Sequence, residues 1–84
     1  MFKVSLHKRA AKYYESLDNN TARRINTVVE DLSRNPFEGS HIKRLHGKQA
    51  GKYRYSVGSI RIVYRVKDDN VLIEAIGPRG DIYK

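Results

Sequence analysis

The sequence predicts an α+β fold in the order β-α-α-β-β-β: an N-terminal strand, two helices, then an antiparallel meander of three strands. Three observations carry this. Residues 52–67 alternate apolar and basic side chains around a Gly-Ser pair, the mark of two half-buried strands joined by a tight turn. Residues 7–17 and 20–35 place apolar side chains at helical spacing instead. Residues 71–76 are a nearly continuous apolar run, as expected of an inner strand. No repeat, low-complexity segment or linker interrupts the 84 residues, so residues 1–84 read as one domain.

In chain order, Phe2, Val4 and Leu6 alternate with Lys3 and Ser5 and give the first strand one apolar face. Leu6, Ala10, Tyr13 or Tyr14, and Leu17 form the stripe of the first helix, and Asp18-Asn19-Asn20 breaks it. Asn20 is the expected N-cap of the second helix, whose side chain can accept from the free amides of the first turn. Ala22, Ile25, Val28, Val29 and Leu32 line that helix, which ends before Pro36 because proline disfavours helical geometry in the residue preceding it. The short connection makes the two helices an antiparallel hairpin. Phe37 to Gly51 reads as irregular, with Ile42 and Leu45 as anchors to the core.

The hairpin from Lys52 to Lys67 is the most informative stretch. Gly58 at the first central position suits a type II′ turn. A two-residue loop then sets Val57 opposite Ile60, Ser56 opposite Arg61, Tyr55 opposite Ile62, Arg54 opposite Val63, Tyr53 opposite Tyr64 and Lys52 opposite Arg65. One side carries Tyr53, Tyr55, Val57, Ile60, Ile62, Tyr64 and Val66 and can pack on a core. The other carries Lys52, Arg54, Ser56, Arg61, Val63 and Arg65, a cationic plate with no acid of its own. Two helices cover one face of a sheet, so the basic side is expected to stay bare. Asp68-Asp69-Asn70 turns the chain into the last strand, and Gly77-Pro78 ends it.

The net charge is +8, and it is unevenly placed. Between Ser40 and Lys67 lie Lys43, Arg44, Lys48, Lys52, Arg54, Arg61, Arg65 and Lys67, with no Asp or Glu among them. Like charges on adjacent strands repel, and an anionic partner is the simplest reason to keep them. That composition points to a polyanion such as nucleic acid. Lys43, Arg44, Lys48, Lys52 and Arg65 are the candidate RNA-binding residues. An acidic protein partner can use the same surface.

The absence of cysteine excludes disulfides and thiolate metal sites. No apolar run approaches a membrane span, and the expected location is cytoplasmic. His7, His41 and His46 are scattered without paired carboxylates, so neither a metal nor another cofactor is expected. Serine-triad and P-loop patterns are lacking as well. Metal-free RNA cleavage is possible in principle. It needs a base for the 2′-hydroxyl, cations for the charge that builds on the phosphate, and an acid for the departing 5′-oxygen. Guanidinium groups suit the second task because they are planar forks that match phosphate oxygens. Arg54, Arg61 and Arg79 are the candidates, and Tyr83 can stack on a base or assist proton transfer if the tail folds over the plate.

Leu45-His46-Gly47, the run Tyr53 to Tyr64, and Ile76-Gly77-Pro78-Arg79-Gly80-Asp81-Ile82-Tyr83 together resemble the RelE/ParE superfamily of toxins from toxin–antitoxin modules. The resemblance covers essentially the whole chain. It implies a RelE-like fold and a toxin that enters the ribosomal A site and cuts messenger RNA there as a metal-free endoribonuclease, inhibiting translation. The implied partners are a cognate antitoxin, in a toxin–antitoxin hetero-oligomer, and the ribosome with its messenger and ribosomal RNA. By position, Arg61 and Arg79 match the arginines that stabilise the transition state in RelE-like toxins, and Tyr83 matches the stacking tyrosine. Arg54 falls where those toxins often carry lysine. Ser56 falls where they often carry a second basic residue that serves as general base, and the resemblance leaves three options: Arg54 or Lys52 substitutes, the enzyme is slow, or it uses another base. The resemblance leaves two alternatives: a ParE-type inhibitor of DNA gyrase, or a catalytically weak homologue that binds RNA or protein.

Overall fold

In the computed structural model, which describes residues 1–78, the chain runs β1 (Lys3–Leu6), α1 (Lys8–Glu15), α2 (Asn19–Arg34), β2 (Ile42–Arg44), β3 (Tyr53–Val57), β4 (Ile60–Lys67) and β5 (Asn70–Pro78). A single 3₁₀ turn, Gly47–Gln49, lies between β2 and β3. The α+β class holds, with one more strand than the sequence predicts. The sheet has five strands in the order β1-β5-β4-β3-β2. β1 is parallel to β5, and β5, β4, β3 and β2 are antiparallel in turn. The extra strand is β2, inside the segment read as irregular. Three residues are too few to show a period of two, and two of them, Lys43 and Arg44, are charged.

The central hairpin has the expected register, from Val57–Ile60 to Tyr53–Tyr64. Gly58 takes φ +56 while Ser59 stays out of the left-handed region, as a type II′ turn requires. β5 is flanked by β1 and β4, which is the inner position its apolar run predicts.

One irregularity shapes the sheet. Tyr64 pairs with Ile73 and Val63 with Ala75, so Glu74 is an extra residue opposite no partner. A β-bulge of this kind shifts the alternation of every residue beyond it. Val71 and Ile73 face the helices before the bulge, and Ile76 faces them after it. Ala75 and Gly77 are thereby turned to the opposite face, across from Val63 and Arg61.

Ala10 of α1 and Ile25, Val28 and Leu32 of α2 join Tyr55, Ile62, Tyr64, Val71, Ile73 and Ile76 in one buried cluster. Both helices therefore pack on the same side of the sheet. His7 caps α1 through Nδ1, which accepts from Arg9 N at 3.3 Å. α2 begins one residue before the expected cap, with Asp18 rather than Asn20 in the N-cap position. It stops at Asn35, which is extended ahead of Pro36. Tyr14 Oη donates to Asn26 Oδ1 at 2.8 Å and ties the two helices together. Ile42 packs against the cluster as expected, whereas Leu45 does not reach it.

Three tyrosines fasten the sheet to α2 and the chain that follows it. Tyr64 is fully buried and its hydroxyl donates to Pro36 O at 2.7 Å. Tyr55 Oη donates to Asp31 Oδ2 at 2.8 Å. Tyr53 stacks on Tyr64 with ring centroids 5.6 Å apart. Burial, and then the Asp31 carboxylate, push the Tyr55 phenol up to about 12; burial raises Tyr64 further. Both stay neutral in the folded chain where a free tyrosine would ionise, so their stabilisation is full below about pH 10 and is lost as the pH rises through the folded values. Tyr64→Phe deletes a buried donor and leaves the Pro36 carbonyl unpaired. It is expected to cost about 1–3 kcal/mol, read as a lower urea midpoint at unchanged slope.

Candidate nucleic-acid interface

The face of the sheet away from the helices is built from short cross-strand rows. Lys43, Arg54, Val63 and Ala75 form one row across β2, β3, β4 and β5. Ser56, Arg61 and Gly77 form the next, toward the hairpin turn. Arg65 and Leu72 pair at the opposite end. Apart from Leu72 and Val63, what lies between the cations is small: a serine, an alanine and a glycine. The bulge supplies the last two.

Lys43 and Arg54 stand directly opposite each other. Arg61 is the diagonal neighbour of Arg54, two residues from Val63, a separation of about 7–8 Å between backbones. None of these three has a carboxylate within ion-pair distance among the described residues. The Arg54 side chain is half-buried, and its Nε is enclosed with no hydrogen-bond partner among the described residues. Arg61 Nη1 reaches back to Gly58 O at 3.4 Å. On the other side of the same turn, a Cβ added to Gly58 would stand 3.5 Å from Arg24 Nη1 of α2. Two guanidinium groups thus flank one turn residue. Arg24 sits on the exposed side of a helix, and nothing in the linear sequence links it to the hairpin.

The plate does contain an acid, contrary to its reading as acid-free: Glu74, at the bulge. Glu74 Oε1 lies 2.8 Å from Lys52 Nζ, and Glu74 Oε2 lies 2.7 Å from Arg65 Nε. Its own carbonyl accepts from Arg9 Nε at 2.9 Å. His7, Arg9, Lys52 and Glu74 line a shallow hollow of about 350 Å³ beside this cluster. Burial alone would raise the Glu74 carboxyl. The Lys52 hydrogen bond and charge, with Arg65, outweigh it and hold the group below its ordinary value. In the sequence, Glu74 is the one charge inside an apolar run, a signal that the residue is not part of the core.

The remaining sequence candidates fall in different places. Lys52 and Arg65 are on this face but paired to Glu74. Arg44 is on the helix side: it pairs with Tyr53, its guanidinium lies 5.7 Å from the Tyr53 ring centroid, and Nη2 sits 3.5 Å from the Tyr53 hydroxyl. A lysine–arginine pair in a strand points to opposite faces, and only one of the two can serve the plate. Lys48 is exposed on the 3₁₀ turn. Arg79 and Tyr83 lie outside the described residues. His41 stacks on Tyr55 at 5.6 Å, and His7 is the α1 cap, which gives two of the three histidines structural tasks. A separate hollow of about 230 Å³, lined by Asp31, Arg34, His41 and Tyr55 among others, lies at the end of α2 on the helix side, away from these cations. None of the described helices is long and apolar enough to cross a membrane.

The comparisons agree with this architecture. The family described as "ParE toxin of type II toxin-antitoxin system, parDE" matches residues 4–83, and the chain belongs to that family. It is a toxin of the type II toxin–antitoxin class, on a fold of the RelE/ParE superfamily. The toxin fold in the archaeal RelE–RelB complex from Pyrococcus horikoshii is similar at 28% identity and a TM-score of 0.81, over 95% of this chain and 97% of that one. The RelBE2 toxin–antitoxin complex from Mycobacterium tuberculosis is similar at 25% identity and a TM-score of 0.81, over 93% and 98%. A YoeB/ParE toxin from Agrobacterium tumefaciens shares the fold at 22% identity and a TM-score of 0.83, over 93% and 99%. A comparison with curated protein sequences finds no match.

The Lys52–Glu74–Arg65 cluster makes a prediction about pH. Glu74 is depressed in the folded state, so its stabilisation is present above the carboxylate value of the unfolded chain, about 4.3, and is lost as the pH falls through the lower folded value. Between about pH 5 and pH 3, Glu74→Gln is expected to flatten the fall in melting temperature shown by the natural chain. A parallel fall in both proteins would refute the assignment.

Proposed function

We propose that this toxin acts on RNA through the open face, as a ribosome-dependent, metal-free endoribonuclease that cuts messenger RNA in the A site and stops translation in the cytoplasm. The observation that carries the reading is the row of cations Lys43 and Arg54, with Arg61 diagonal to them, which have no carboxylate partner among the described residues, on a face the helices leave bare. Phosphate is the ligand that a planar guanidinium fork fits best. In this reading the 2′-oxygen loses its proton, attacks the adjacent phosphorus and forms the new P–O bond. The P–O5′ bond breaks, and the 5′-oxygen leaves with a proton. Arg54 and Arg61 hold the charge that builds on the non-bridging oxygens, and Arg79 and Tyr83 complete the site from the tail. Between uses, a cognate antitoxin holds the toxin in a hetero-oligomer; the relatives described as RelE–RelB and RelBE2 complexes support such a partner.

A second reading is inhibition of DNA gyrase. The family description, which names the ParE toxin, favours it. So does Ser56, which is no base at neutral pH and stands directly opposite Arg61.

Two assays separate the readings. In a translation reaction the purified toxin is expected to truncate messenger RNA in the presence of ribosomes, and Arg61→Gln is expected to lower the rate by on the order of 10²-fold at unchanged melting temperature. Intact message with full-length product rules the nuclease reading out. Loss of gyrase supercoiling by the same preparation establishes the second.

A further inference from the structure

The cations of the open face fall into two groups, and one carboxylate divides them. Lys52 and Arg65 are each bonded to Glu74 at 2.8 and 2.7 Å. Glu74 and Lys52 are largely enclosed, with side-chain exposures of 16% and 22%, so this contact is not one that solvent simply dissolves. On the other side, Lys43, Arg54 and Arg61 have no such partner among the described residues. The second group does not end at the sheet. Arg61 leans onto the Gly58 carbonyl, and Arg24 of α2 stands against the same glycine from the helix side. Asp18, at the N-cap of α2, feels the charge of Arg24 but is not within ion-pair distance of it. A line of positive charge therefore runs from the β2 edge, diagonally over the hairpin, around its tip and onto a helix.

We propose that single-stranded RNA binds along the track Lys43–Arg54–Arg61–Arg24, and that Glu74, by holding Lys52 and Arg65, keeps the strand off the other half of the face. Glu74 is then a specificity-determining residue that sets the path of the backbone, and Arg24 is a phosphate contact on a helix. The inference rests on the reading of the open face as an RNA surface; it does not depend on cleavage. Its physical basis is competition. A phosphate reaching Lys52 or Arg65 must displace a carboxylate already bonded to both, whereas a phosphate reaching the track displaces no carboxylate among the described residues.

The test is fluorescence anisotropy of a short labelled oligouridine with the purified chain, across about 50–200 mM salt. Each lost phosphate contact on a single strand lowers the slope of log K against log salt by about 0.7. Arg24→Gln is expected to weaken binding and flatten the slope by about that amount. Arg65→Gln, which removes a cation already engaged, is expected to leave affinity and slope unchanged. Glu74→Gln, which releases two cations, is expected to tighten binding several-fold and steepen the slope by up to about 1.4.

The track is overturned if Arg65→Gln weakens binding as much as Arg24→Gln, or if a folded Glu74→Gln binds no more tightly than the natural chain. Should Glu74→Gln fail to fold, the Arg24 and Arg65 variants still decide, because both side chains are exposed. Tighter binding of duplex DNA than of the oligouridine overturns the assignment to RNA. RNA binding along the track without messenger cleavage refutes the nuclease reading and leaves the track standing. Cleavage with equal loss in the Arg24 and Arg65 variants does the reverse.

Discussion

The extra residue in β5 organises both sides of the sheet. A regular strand alternates, so Val71, Ile73, Ala75 and Gly77 would share one face, and Leu72, Glu74 and Ile76 the other. That arrangement would set Ile76 among the arginines and a glycine against the helices. The bulge at Glu74 resets the alternation midway, so Val71, Ile73 and Ile76 all enter the core. Arg61 is left facing Gly77, which has no side chain, and the row of Arg54 ends on Ala75. The core keeps its large residues, and the opposite face receives a small residue, Ala75, and a glycine, Gly77, both buried between the cations. Glu74 itself, the residue left over, takes the face where its charge finds two partners.

Much of this was legible in the sequence because the central hairpin is regular. Alternation, a glycine at the turn and a fixed loop length were enough for the register, and the register placed Arg54 and Arg61 as diagonal neighbours on one face. The helices were legible by their stripes. What the sequence did not show is everything that depends on pairing between distant segments. β2 is three residues long and two are charged, so it has no period of its own; it becomes a strand only because β3 offers an edge. Arg44 counts as basic in any composition window, yet its parity in β2 sends it to Tyr53. Glu74 lies in an apolar run, and only the β4–β5 register shows that it is a bulge. Arg24 reaches Gly58 across the gap between a helix and a hairpin tip, a contact with no local signature.

Setting Lys43 opposite Arg54 opposes folding. Directly opposed like charges on a sheet are unfavourable by a few tenths of a kcal/mol or more, and the Nε of Arg54, which has no hydrogen-bond partner among the described residues, adds to that. Elsewhere the chain neutralises such a pair: Lys52 and Arg65 would stand close together without Glu74. The contrast is within one face of one sheet. At one end of that face the repulsion is relieved by a carboxylate. Where no carboxylate among the described residues relieves it, the core and the tyrosine anchors at Asp31 and Pro36 hold the strands together against it.

The same contrast constrains the chemistry. In the strands of the open face Glu74 is the one carboxylate, and it is held ionised by two cations. A carboxylate depressed in this way is a weak acceptor for a 2′-hydroxyl proton, since base strength falls with pKa. Ser56, opposite Arg61, is no better. On the nuclease reading, the strands supply cations for a phosphate, while proton transfer has to be supplied from beyond them. If the toxin cuts RNA, this division of labour makes the reaction depend on whatever completes the site, the tail or the ribosome, and a bare sheet should bind RNA without consuming it. If the toxin acts on gyrase instead, no proton acceptor is needed, and the same row of cations serves only to hold an anionic surface.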